Sequence, residues 1–149
     1  MQTLHGLRVV LWAEEPADLH ALENTLKRAG CEVRWVSSAE RLETQVRKNA
    51  ADLVVVRLYS GGPAPTESLK WMRRVSSPPA VLVACGPLDV RLYLDAMEAG
   101  AIDALVLPPD EDEVVRVVSQ ALETVNARLD SDGRARQSIG AQSMELRAG

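Results

Sequence analysis

Five short apolar runs, spaced along the chain and separated by stretches of helical periodicity, constrain this sequence more than any other feature. The runs are Leu7 to Trp12, Val33 to Val36, Leu53 to Val56, Val81 to Ala84, and Ala104 to Leu107. Most are nearly continuous in Val and Leu. A half-exposed strand places a polar residue at every second position, whereas an unbroken apolar run suits a strand covered on both faces of a parallel sheet. The intervening segments carry helix signals. Pro16 suits a first helical position, and Leu19, Leu22, Leu26 and Ala29 form a stripe stopped by Gly30. Ser37-Ser38-Ala39-Glu40 reads as a capping box ahead of Leu42 and Val46. Thr66 is placed to cap a third helix whose inner face holds Leu69 and Met72. Val90, Leu94 and Met97 make a fourth stripe ended by Gly100. Asp110 to Glu113 puts acids at a helix start, where the dipole favours them, and Val114, Val117, Val118, Ala121, Leu122 and Val125 form that helix's inner face.

Repeated strand–helix units call for right-handed crossovers and helices on both sides of one sheet. The predicted fold is therefore α/β, a five-stranded parallel sheet. The chain's 149 residues suit one domain. We expect it to occupy residues 1–128, with 129–149 as a polar C-terminal tail or linker. With no Phe, three Trp and two Tyr, the core must be aliphatic. The net charge of −4 disfavours direct nucleic-acid binding. No apolar run reaches the ~18 residues of a membrane span. Met1 to Gly6 lacks a basic and then apolar leader, so no secretory signal is expected. Cys31 and Cys85 have no metal-ligand spacing and suit free thiols in a reducing cytoplasm.

In open α/β sheets, ligands sit outside the carboxyl ends of the strands where the strand order reverses. For the order 2-1-3-4-5, that place lies between strands 1 and 3. Ala13-Glu14-Glu15-Pro16 and Arg57-Leu58-Tyr59 should meet there, with Cys85-Gly86 from strand 4 and Leu107-Pro108-Pro109 from strand 5. No Gly-x-Gly-x-x-Gly follows strand 1, and Gly61-Gly62-Pro63 lacks the Gly-Lys-Ser/Thr of a phosphate loop.

Three segments, in this order and spacing, resemble the receiver domain of bacterial response regulators. They are Trp12-Ala13-Glu14-Glu15-Pro16, Asp52 to Leu58, and Ala96 to Pro108, the last being the most specific. The resemblance covers about residues 6–127. It implies the flavodoxin-like receiver fold and a place in two-component or phosphorelay signalling, including transcription regulation. In that family, acids after strand 1 and an aspartate ending strand 3 bind Mg²⁺, and the aspartate takes a phosphoryl group. A Ser or Thr after strand 4 and a Lys after strand 5 bind the phosphoryl oxygens. By that alignment the constellation here is Ala13, Glu14, Arg57, Cys85 and Leu107, with Ala104 where an aromatic commonly turns. The family also implies a cis Leu107–Pro108 bond, the alternative being a trans bond with a rearranged loop.

A guanidinium has no acceptor atom and stays protonated, so Arg57 cannot form an acyl phosphate. It also puts a cation where Mg²⁺ would sit, so no metal or other cofactor is expected. Either Arg57 pairs with Glu14 or Glu15 and fills the crevice, or it points to solvent while the acids cap the first helix. Cys85 is either a thiol acidified by Arg57 or a small buried residue in place of Ser or Thr.

These residues predict a non-enzymatic pseudo-receiver. It would work as a protein-interaction or dimerisation module, with itself or another protein as partner. The expected face is helix 4–strand 5–helix 5, with Arg91, Tyr93, Asp95, Glu98, Ala104, Asp112, Arg116 and Gln120 as candidate contacts. A second reading is a small-molecule-gated domain in which Arg57 holds an anionic group. A flavodoxin-like enzyme is disfavoured because neither His5 nor His20 falls near Cys85 in this topology.

Overall fold

The computed structural model describes residues 4–59, 66–87 and 89–127. Its strands are β1 (Arg8–Trp12), β2 (Glu32–Val36), β3 (Leu53–Arg57), β4 (Ala80–Cys85) and β5 (Asp103–Val106). The helices are α1 (His20–Arg28), α2 (Ala39–Arg47), α3 (Thr66–Arg74), α4 (Val90–Ala99) and α5 (111–127). A 3-10 turn, Pro16–Leu19, leads into α1 with Pro16 at its start. The five strands pair in parallel in the order β2-β1-β3-β4-β5, as expected.

The pleat explains the apolar runs. Val9 and Leu11 of β1, Leu53 and Val55 of β3, and Leu82 and Ala84 of β4 join a core with Leu22 and Leu26 of α1 and Val114, Val117 and Val118 of α5. The alternate residues Val10, Val54, Val56, Val81 and Val83 join a second core with Leu42 and Val46 of α2, Leu69 and Met72 of α3, and Ala96 and Ala99 of α4. Two covers on one sheet leave the central strands no solvent face, hence no polar alternation.

Gly30 ends α1 at φ +95°, with the Cys31 N–H returning to Leu26 O at 3.0 Å. A side chain there would be strained, and its Cβ would lie 2.9 Å from His5 Nδ1.

Two local expectations change. Ser38, rather than Ser37, caps α2, and its hydroxyl accepts from the Arg41 N–H at 3.1 Å. The third helical position is therefore Arg41, and Glu40 cannot serve as the returning arm of a capping box. In α4, Leu94 is 57% exposed, while Ala96 and Ala99 are buried. The helix approaches the sheet on its small residues, so the stripe that included Leu94 is not the inner face. Thr66 is the first residue of α3, and the position before it, like the 129–149 tail, lies outside the described residues.

Candidate functional site

β3 carries its residues alternately toward the two cores, and Arg57, in step with Leu53 and Val55, falls on the α1 side. This parity brings it to the 3-10 turn that precedes α1. There its Nε lies 3.9 Å from Asp18 Oδ2. Nη1 donates to the Leu58 carbonyl and, at 3.4 Å, to that of Ala84. The guanidinium carbon sits 4.6 Å from the centroid of the Tyr59 ring. The Tyr59 hydroxyl accepts from the Glu15 N–H at 3.0 Å, tying the end of β3 to the loop after β1. Burial pushes the Tyr59 hydroxyl above its ordinary pKa, and the neighbouring Asp18 adds to that.

The carboxylate that Arg57 approaches is thus Asp18, which corrects the pairing expected with Glu14 or Glu15. Both of those acids are exposed, and the Glu15 backbone is held by Tyr59. Glu14 instead lines a cleft on the β1–β2 side. Arg57 does not reach freely into solvent either, since its side chain is only 15% exposed and its Nε is buried without a hydrogen bond among the described residues. Sequence reasoning missed Asp18 and the part played by Tyr59. The available signal was Pro16, which starts a tight turn and sets Asp18 within it.

Cys85 ends β4 and is buried, with Arg57 and Asp89 nearby. Burial, the largest effect, and then Asp89 push its thiol pKa up, while Arg57 opposes them. The acidified-thiol reading therefore fails: desolvation of the thiolate outweighs the cation. Ala13 is buried, and Leu107 is half-buried, with its N–H on Cys85 O at 2.9 Å. The Leu107–Pro108 bond is cis, as the resemblance implied. Among the described residues, no group of three His, Cys, Asp or Glu side chains could hold a metal ion, and no helix is long and apolar enough to cross a membrane.

On the opposite sheet edge, Arg91, Asp95 and Glu98 of α4 and Asp112, Arg116 and Gln120 of α5 are exposed. Tyr93 and Ala104 are half-buried. Arg116 donates to Gln120 Oε1 at 3.4 Å. The same region exposes Leu94 and Val106, the latter by 45%, which sequence reasoning did not assign to it.

Comparison with known proteins agrees with this architecture. No protein-family model matches the chain. It is 30% identical over 140 residues to the alginate biosynthesis transcriptional regulatory protein AlgB of Pseudomonas aeruginosa, covering 91% of this chain and 31% of that protein. The chain spans less than a third of the length of the curated relatives it matches. A protein of Chloroflexus aurantiacus described as a response regulator superposes with a TM-score of 0.70 at 26% identity, covering 79% of this chain and 98% of that one. A response regulator receiver domain protein of Clostridium thermocellum gives 0.68 at 20% identity, with 81% and 98% covered. The fold is that of response-regulator receiver domains. The sequence likeness to AlgB and to the Chloroflexus protein agrees with that fold.

Proposed function

We propose that the chain is a non-phosphorylatable pseudo-receiver that acts as a protein-interaction or dimerisation module in bacterial two-component signalling. The observation that carries this reading is Arg57 at the end of β3, folded back onto Asp18, Tyr59 and two carbonyls. Phosphoryl transfer needs an oxygen nucleophile and a cation to neutralise the moving charge. Arg57 offers no such oxygen. The residues at the metal position do not fit Mg²⁺ either: Ala13 has no side-chain donor, Glu14 belongs to no group of three metal-ligating side chains among the described residues, and the third position holds a guanidinium. Arg57, Tyr59 and Asp18 then join the β1 loop to β3 from within, in place of an exchangeable metal and phosphate. A domain fixed in this way works through its surface and needs no enzymatic activity of its own.

The exposed Leu94 and Val106, among the charges of α4 and α5, support a partner-binding role for this face. The partner is a second copy of the domain or another cytoplasmic signalling protein, in a pathway that includes transcription regulation. Nucleic acid and membrane are not expected as direct partners. The alternative of an anionic ligand on Arg57 is less favoured, because Nη1 is engaged by two carbonyls and Nε is buried.

Incubation with acetyl phosphate and Mg²⁺, followed by intact-mass measurement, tests the reading. No covalent adduct should form, and beryllofluoride with Mg²⁺ should leave the spectra unchanged. An acyl phosphate on any crevice carboxylate would overturn it. For the face, Leu94→Lys should abolish any self-association seen by sedimentation, or any capture of a signalling partner.

A further inference from the structure

We propose that the cleft at the carboxyl ends of β1 and β2 binds a small aromatic zwitterion, of the chemical class of aromatic amino acids. The cleft measures about 540 Å³ and is lined by Glu14, Pro16, His20, Trp35, Ser37 and Arg41, among others. Small-molecule sites span roughly 300–1,000 Å³. It lies one strand away from Arg57, and its argument is independent of the pseudo-receiver reading.

One wall is an aromatic platform already held in place. The Trp35 Nε1–H donates to Glu23 Oε2 at 2.7 Å. The His20 ring meets the indole edge-on, with centroids 6.2 Å apart and planes at 86°. An indole fixed on two sides loses little freedom when a second ring stacks on it. That hydrogen bond also pulls the Glu23 carboxyl below its ordinary pKa, so the acceptor stays ionised at neutral pH.

The polar groups of the cleft carry both signs. Glu14 and Arg41 are exposed. Among the described residues, neither side chain enters an ion pair or a hydrogen bond. An anion alone would leave Glu14 opposing it, and a cation alone would meet Arg41. A ligand bearing a carboxylate and an ammonium answers both: the carboxylate on the Arg41 guanidinium with the Ser37 hydroxyl beside it, and the ammonium on Glu14. The ligand's ring then covers the indole.

The test uses the full chain and three related compounds. L-phenylalanine carries both charges, hydrocinnamate lacks the ammonium, and phenethylamine lacks the carboxylate. Binding is followed at the Trp35 indole N–H signal by NMR, assigned with Trp35→Phe. L-phenylalanine should shift that signal saturably, and each single-charge analogue should bind about tenfold more weakly. Arg41→Gln should erase the preference over phenethylamine, and Glu14→Gln the preference over hydrocinnamate. Both positions are at the surface, and unchanged amide spectra elsewhere confirm the fold. No saturation by about 10 mM, equal binding of the three compounds, or preferences that survive both substitutions would overturn the proposal.

Discussion

At the amino ends of β1 and β3, Arg8 meets Asp52; at the carboxyl ends, Arg57 meets Asp18. The first pair is fully made. Arg8 Nη2 lies 2.9 Å from Asp52 Oδ1, Nε lies 3.1 Å from Oδ2, and the Arg8 backbone N–H adds a bond of 2.9 Å. Arg8 Nη1 also reaches the Asn49 carbonyl at 2.7 Å. The second pair stops at 3.9 Å and leaves a buried Nε without a hydrogen bond among the described residues. A planar fork matched to a carboxylate fixes register, whereas a stacked and partly paired guanidinium mainly occupies space. The lower end of the sheet is organised for stability. The upper end is organised around a guanidinium that stacks on Tyr59 and donates to two backbone carbonyls.

Four substitutions or conditions bear on this contrast, from the largest expected effect to the smallest. Asp52→Ala should cost about 1–2 kcal/mol by urea denaturation, allowing for the partial exposure of the pair, because it also leaves the Arg8 N–H without its acceptor. An unchanged midpoint would mean that the amino end is no better built than the carboxyl end. The same pair should give an acid dependence. Hydrogen bonding from Arg8 holds the Asp52 carboxyl below its ordinary pKa. A carboxylate depressed in the folded state contributes stability above its unfolded pKa and loses it as pH falls through the folded value. The loss should therefore appear below about pH 4 and flatten in Asp52→Asn.

Tyr59→Phe should cost about 1 kcal/mol or less. Its clearer mark is faster hydrogen exchange at the Glu15 amide, with the Arg8 amide unchanged; equal rates at Glu15 would show that the tie to the β1 loop is idle. Arg57→Gln should move global stability least, by about 0–1 kcal/mol, since a long, partly exposed ion pair contributes little. A larger loss than that of Asp52→Ala would reverse the comparison.

The order of elements was legible in the residues because burial on two faces leaves a signature in composition: Val9 to Leu11, Val54 to Val56 and Val81 to Val83 have no polar alternation to offer. Stops such as Gly30 and Gly100 were legible because few other residues tolerate a positive φ, here +95° and +123°. The inner face of α4 was misread because hydrophobicity favoured Leu94 over Ala96 and Ala99. Close approach of a helix to a sheet selects small residues, and a size requirement is invisible until the distance is known.

By itself, the sequence determined the layered α/β architecture and the chemistry excluded at position 57, since both follow from residue type and period. Which carboxylate Arg57 would meet depended on the pleat parity of β3 and on the tight turn at Pro16. The same holds for the tie from Tyr59 to Glu15 and for the grouping of Glu14, His20, Trp35 and Arg41 around one cleft. Those relations join segments distant in the chain, and only the packing of the loops on the sheet sets the distances between them.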